Sequence, residues 1–271
     1  MISIHASWFG YDGLSMAERI RMVAQAGFAG VMLWWGEDNG PDYRKQPEYA
    51  RQTGLFVENI HAPLDDSNHI WEDTAAGQAF FELLLRCVDD CAAFEIPTVV
   101  LHASKGGGSS GAGIPPMSEL GLERFRRIAD YAEARQVNVA VENLRSKASM
   151  ERTAYVLEKI DAPRLGFCFD AGHHNARVSK EAQWDLLARF GHRLMALHLH
   201  DNDGEDDQHR LPFDGTTDWP ATMAAIAATG YQGPTSIEVE ANPAWYAGLA
   251  PEEFLARAYE RAMKLHQLRT I

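Results

Sequence analysis

The stretch LMALHLHDNDGEDDQH, residues 194–209, begins as a strand and ends as something else. Leu197 and Leu199 alternate with His198 and His200, the period-2 pattern of a strand with two unlike faces. The run then enters a loop, so that residues 197–209 hold three histidines and five carboxylates in thirteen positions. A solvated loop carries acids readily, but it rarely opens on an apolar alternation and closes on Asp207-Gln208-His209. The simplest account is a strand that delivers polar groups at its C-terminal end.

Working outward, seven other apolar, β-branched-rich runs have the same character: ISIHASWF (2–9), GVMLWW (30–35), LFVENIHA (55–62), TVVLHA (98–103), VNVAVENL (137–144), LGFCFDAG (165–172) and TSIEVE (235–240). Helical periodicity fills the intervals. In GLERFRRIADYAEARQ (121–136), Leu122, Phe125, Ile128, Ala129 and Ala132 share a face, and PEEFLARAYERAMKL (251–265) repeats this with Phe254, Ala258 and Ala262. Several helices run into glycine, AQAG (24–27), ARFG (188–191) and AATG (227–230), where a left-handed residue is the expected stop. Eight β-then-α units of roughly 30 residues without linker-like composition predict one (β/α)8 TIM barrel domain over residues 1–271. The rival, an open doubly wound sheet, would bring a glycine-rich phosphate loop after its first strand, and ASWFGYDGLS (6–15) is not one. Two connections are long: DDSNHIWEDTAAG (65–77) and the glycine-rich SKGGGSSGAGIPP (104–116). The second reads first as a mobile surface loop. Both also follow strand C-termini, so a lid is the second reading.

Composition narrows the partners. The net charge of −13 repels polyanions, which makes long nucleic acid a poor partner. No apolar run approaches the roughly 20 residues that span a bilayer, and MISIHASWFG has neither a basic nor an apolar signal-peptide region. Cys87, Cys91 and Cys168 lack metal-site spacing and read as core thiols in a reducing compartment, so the expected location is the cytoplasm. A homo-oligomer is compatible with this composition.

The remaining strand ends match the seventh. His61, His102, Glu142, Asp170, His198 and Glu238 close six consecutive strands, with His173 in FDAGHHN and Asp207 and His209 in DQH just beyond. A lone residue of this kind is usually a satisfied hydrogen-bonding group. Six in a row, at the face where barrel strands bring distant residues together, are not. Three carboxylates among imidazoles, with little Lys or Arg, cannot neutralise one another, and burying each costs several kcal/mol. A divalent cation would offset this. Oxygen and nitrogen ligands without thiolate suit Zn, Mn or Co, with Mg and Fe ranked behind.

The ordered motifs HAP (61–63), LHAS (101–104), VEN (141–143), FDAGH (169–173), HLHDNDGEDDQH (198–209), P-x-x-G-x-x-DW (212–219) and IEVE (237–240) resemble the xylose-isomerase-like superfamily of TIM barrels. That group holds sugar isomerases and epimerases, inosose dehydratase-type enzymes and endonuclease IV, and the resemblance spans essentially the whole chain. In its epimerase branch it implies a metal on Glu142, Asp170, His198 and Glu238, with His173 close to substrate. In its endonuclease IV branch it implies up to three zinc ions, adding His61, His102, His173, Asp207 and His209 as ligands. His200 shares the parity of His198 and stands as a candidate supporting residue. PFDG (212–215) departs from the PGxG of many relatives, so the turn there is expected to differ, and no arginine-bearing DNA loop is evident.

The expected chemistry is proton abstraction beside a carbonyl in a small keto sugar, sugar acid or cyclitol. Glu142 and Glu238 act as acid and base on its two faces, giving isomerisation, epimerisation or, with β-elimination, dehydration. The alternative is multinuclear zinc phosphodiester hydrolysis; a third reading, a barrel that only binds, conflicts with the intact carboxylate pair. Trp8, Trp34 and Trp35 end the first two strands and either stack on a sugar or pack the core. Lys105, Arg145 and Lys147 follow strands four and five and are candidates for holding a substrate phosphate or carboxylate.

Overall fold

The computed structural model describes residues 1–7, 11, 13–105, 113–175 and 182–270. Eight strands alternate with helices: β1 (Ile2–His5), β2 (Gly30–Trp34), β3 (Phe56–His61), β4 (Thr98–Leu101), β5 (Asn138–Glu142), β6 (Leu165–Asp170), β7 (Leu194–His198) and β8 (Thr235–Ile237). The helices are α1 (Met16–Gln25), α2 (Gln46–Thr53), α3 (Ala75–Phe94), α4 (Glu119–Glu133), α5 (Lys147–Lys159), α6 (Ala171–Asn175), α7 (Leu186–Phe190), α8 (Trp219–Ala228), α9 (Pro243–Tyr246) and α10 (Pro251–Thr270). The strands form one sheet in the order β7-β6-β5-β4-β3-β2-β1-β8, and a parallel bridge from Leu199 to Ile237 links the two ends of that order. This is a (β/α)8 TIM barrel, as the eight alternations predict.

Every strand is shorter than its apolar run. His102 and Glu238 therefore sit one residue past β4 and β8, although the Glu238 N–H still bonds to Leu199 O at 3.1 Å. The apolar pattern continues into buried segments that pair only at isolated points, such as the Ala62 N–H to Val100 O at 2.9 Å, so hydrophobicity overstates strand length.

Helix starts follow capping chemistry. Ser15 and Glu18 form a reciprocal capping box at α1, and Thr74, Ser118, Ser146, Asp185, Asp218 and Asn242 each accept a backbone N–H of the helix they precede. The glycine stops divide. Gly27 and Gly230 are left-handed (φ 98° and 77°), but Gly191 is right-handed (φ −56°) because the chain continues into a 3-10 turn, Gly191–Arg193, that leads directly to β7.

By its contacts the chain divides into two compact units. In the unit of Asn59–Phe169 and Val178–Ala196, small residues Val100, Ala140, Cys168 and Ala196 form a buried layer against Met195. Gly166 gives that layer room, since a Cβ there would lie 2.6 Å from Met195 Sδ. Cys87 and Cys91 are buried on α3 with free thiols; burial pushes the Cys87 thiol up to about 12 and keeps both inert. Residues 65–77 are not an open loop. They hold a 3-10 turn, Ser67–Trp71, fixed by Trp71 Nε1 donating to Ala103 O (2.6 Å) and by buried Arg124 donating to Ile70 O (2.9 Å) and Glu72 O (2.8 Å). The glycine tract 106–112 lies outside the described residues.

In the unit of Met1–Glu58, Asp170–Arg177 and Leu197–Ile271, β1 pairs with both β2 and β8. Phe254, Leu255, Ala258, Ala262 and Leu265 of α10 are buried, with Trp219, Met223 and Ile226 of α8. No described helix is long and apolar enough to cross a membrane.

Candidate metal and active site

Asp170 is the last residue of β6, and α6 begins at the next residue. The His173 N–H therefore donates to Asp170 Oδ1 at 2.6 Å, so local chain geometry fixes one face of the carboxylate. His198 ends β7, and its Nδ1 lies 3.0 Å from Glu238 Oε2. Asp170, His198 and Glu238 are all buried, and one ligand atom from each falls within 4.8 Å of the others. A divalent metal thus has a fitting donor set in this unit: two carboxylate oxygens and an imidazole nitrogen converge.

A second group stands beside it in the same unit. His200 Nε2 lies 3.1 Å from Asp170 Oδ1, and its ring stacks on His209 at 3.9 Å with an interplanar angle of 10°. Asp207 Oδ2 is 3.1 Å from His173 Nε2, and Asp207 Oδ1 is 3.3 Å from His209 Nε2. In both Asp170–His173–His200 and His200–Asp207–His209, one ligand atom from each residue lies within 4.8 Å of the others. Burial raises the Asp207 carboxyl and opposes charge on His209, but the partners outweigh it. The fields of His173 and His209 hold Asp207 well below the usual carboxylate range, and Asp207, Glu238 and Asp170 hold His209 up to about 10.

The other unit carries its own triad. His61 Nε2 and His102 Nε2 are 3.2 Å apart, and each is 3.4 Å from Glu142 Oε2. Thr153 Oγ1 on α5 donates to Glu142 O at 2.8 Å, anchoring the backbone at the end of β5.

The remaining sequence-predicted residues are placed as follows. Trp35 is 2% exposed and meets Tyr43 edge-on at 4.9 Å, while Trp34 meets His5 at 5.2 Å. Lys105 Nζ pairs with Asp65 Oδ1 at 2.6 Å, and its N–H donates to Asn68 Oδ1. Arg145 is half-buried and Lys147 exposed. Trp8 lies outside the described residues.

Two buried groups escaped the sequence reading. Asp201 is fully buried and accepts from Trp219 Nε1 (2.8 Å) and from the N–H groups of Asn202 (3.0 Å), Phe213 (3.0 Å) and Thr217 (3.1 Å). It folds the 202–218 loop that carries Asp207 and His209. The DW pair at 218–219 was its only signal. Glu58 on β3 is buried and accepts from Ser236 Oγ at 2.6 Å; burial raises its pKa above the usual carboxylate value. Nothing in the polar alternation of VENIH distinguishes it from a solvent-facing strand residue.

The family model for the xylose isomerase-like TIM barrel matches residues 20–260. The chain belongs to that family. Within it, the chain is 29% identical to the uncharacterized protein y4fM of Sinorhizobium fredii over 302 aligned positions, covering 97% of this chain and 92% of that one. It is 22% identical to the fructoselysine 3-epimerase of Shigella flexneri, covering 91% and 95% of the two chains. Among solved structures it is similar to a D-psicose 3-epimerase with D-tagatose from Clostridium cellulolyticum H10, with a TM-score of 0.76, 14% identity and 98% of each chain covered. This xylose isomerase-like barrel also shows what the PFDG departure entails: Phe213 occupies a left-handed conformation (φ 74°) that glycine adopts without strain. Its ring is held by Lys264 Nζ at 3.9 Å and by Trp219 at 6.0 Å.

Proposed function

We propose that the chain is a divalent-metal-dependent sugar epimerase or isomerase, acting on a small keto sugar, sugar acid or cyclitol as one barrel domain of residues 1–271. The observation that carries this reading is the buried convergence of Asp170, His198 and Glu238. Glu142 is the fourth ligand that the family resemblance implies, and the epimerase names among the relatives support the substrate class. Zn, Mn or Co suits the donors better than Mg or Fe.

The bound cation would acidify the carbon beside the substrate carbonyl and stabilise the oxyanion that forms. Glu142 and Glu238 do the rest: one carboxylate takes the α-carbon proton, and the other returns a proton to the opposite face or to the neighbouring carbon. The first outcome is epimerisation, the second isomerisation. His173, fixed by its backbone bond to Asp170, orients a substrate hydroxyl; Trp35, Lys105 and Arg145 complete the substrate contacts.

A second reading, multinuclear zinc phosphodiester hydrolysis of the endonuclease IV kind, is favoured by His61–His102–Glu142 and by Asp207 between His173 and His209. The −13 charge opposes a DNA substrate. The deciding experiment pairs solvent deuterium exchange into a panel of ketoses and inososes with cleavage of an abasic-site duplex, each with Mn, Co or Zn added. Exchange into a small substrate is expected. Duplex cleavage without exchange, together with three zinc ions per chain instead of one, would overturn the epimerase reading.

A further inference from the structure

One bond fixes which face of β1, β2 and β8 points into the barrel. Ser236 Oγ on β8 donates to Glu58 Oε1 on β3 at 2.6 Å, and β1 and β2 lie between those strands in the sheet, so the bond crosses the interior. Register carries that face along the strands. Ser3 pairs with both Ser236 and Gly30, and His5 pairs with Met32. Ser3 and His5, then Gly30, Met32 and Trp34, then Ser236 and Glu238 therefore all point inward. His5 follows Ile4 as Glu238 follows its partner Ile237, which sets His5 level with Glu238. Trp34 stands two residues beyond Met32, about 6–7 Å nearer the C-terminal mouth.

Trp34 is also the one residue of β2 that is not buried. With buried Met32 and His5 beneath it on the same face, its accessible surface belongs to the mouth. The indole is braced from below. His5 meets it edge-on at 5.2 Å and 61°, and the His5 ring is itself fixed, since its Nδ1 accepts the Ser7 N–H at 3.1 Å.

The chemistry of this wall is selective. The three strand ends read HAS (5–7), WWG (34–36) and EVE (238–240), without Lys or Arg. Arg19 of α1 reaches the end of β1, but its guanidinium donates to the carbonyls of Ser7, Tyr11 and Leu14. A substrate phosphate or carboxylate would meet Glu238 here and no cation from these strand ends. A sugar face suits the wall better: its C–H groups pack on the negative face of an indole, while its hydroxyls stay free for polar partners.

We infer that Trp34 is a substrate-contact residue that selects for an uncharged C–H face on the part of the sugar lying over β2, an assignment that rests on the epimerase reading of the site beside it. The test uses the Co(II)-loaded full chain with D-fructose, D-psicose and D-tagatose as probes, read by calorimetry and by solvent deuterium exchange. Trp34→Leu keeps apolar bulk and removes the ring face, so Kd and KM for the best probe should rise about tenfold, with kcat within about threefold of wild type. Trp34→Phe keeps a ring and should hold the affinity to within about threefold. Co(II) affinity should stay within about twofold in both variants, because neither removes a ligand. A merely structural role would weaken Co(II) and sugar together.

A second measurement stands even if Trp34→Leu does not fold. The chain has seven tryptophans, and the emission lost in Trp34→Phe belongs to Trp34, so that difference spectrum should change when the probe is added. Unchanged sugar affinity in Trp34→Leu, parallel loss of Co(II) and sugar, or a difference spectrum indifferent to saturating probe would each overturn the assignment, while exchange by the wild type would leave the epimerase reading in place. A wild-type chain that neither binds nor exchanges any of the ketoses would remove that reading and the Trp34 contact together.

Discussion

The ring of His200 lies so close to Gly172 that a Cβ added to the glycine would stand 1.9 Å from His200 Cε1. The glycine of FDAGH is therefore required by a side chain 28 positions away, not by its own backbone, which is absent from the positive-φ residues. Gly172→Ala should push the imidazole off Asp170 and out of its stack on His209. Overpacking of this kind costs about 1–3 kcal/mol, and loss of a supporting partner typically weakens metal binding 10- to 100-fold. Both are read from thermal melts and from the d–d spectrum during Co(II) titration. His200→Asn should weaken Co(II) binding by itself and relieve the clash, so the double variant should be less unstable than the two singles sum to. A Gly172→Ala protein that melts like wild type would refute the packing argument.

Trp219→Phe tests the Asp201 cage. The substitution keeps an aromatic side chain, but it removes part of a buried indole and with it one of the four donors to a fully buried carboxylate. A hydrogen bond to a charged group is worth about 1.5–3 kcal/mol, so the melting point should drop by several degrees. Proteolysis between residues 202 and 218 should accelerate. Equal protease resistance would mean that the loop is held by other contacts.

Glu142→Gln and Glu238→Gln should each abolish turnover while leaving the circular dichroism spectrum unchanged. Each removes a proton-transfer group worth roughly 100- to 10,000-fold and replaces a metal-binding carboxylate with an amide. Near-normal deuterium exchange into the true substrate by either variant would eliminate the two-glutamate mechanism.

Glu58 gives a pH signature in the metal-free protein. Its folded pKa is raised above 4.5, mainly by burial, so the native state holds its proton more tightly than the unfolded chain. The stability this provides is fully present below pH 4.5 and is lost as pH rises through the folded pKa. Glu58→Gln preserves the shape, removes the titration and can still accept from Ser236 Oγ. Denaturant melts from pH 4 to 9 should show the variant gaining stability relative to wild type as pH increases. Parallel curves across that range would show that Glu58 does not titrate differently on folding.

The eight alternations were legible because strand and helix periods are local, and capping residues such as Ser15 and Ser118 mark helix starts by chemistry that acts within four residues. The strand-end polar residues were legible for the same reason: they interrupt apolar runs at one repeated place. Gly191 was misread because glycine permits a left-handed stop without requiring one.

By itself the sequence determined the order of elements, the (β/α)8 class and the chemical type of the candidate ligands, because periodicity and residue chemistry are carried by the chain alone. Only the tertiary structure decided which polar groups meet. Asp201 accepts donors from residues up to 18 positions away, and Glu58 and Ser236 touch across 178. His200 sits against Gly172, and Gln46 is buried with an unpaired amide. Those pairings depend on distances between strands and helices after packing, and no local pattern encodes a through-space distance.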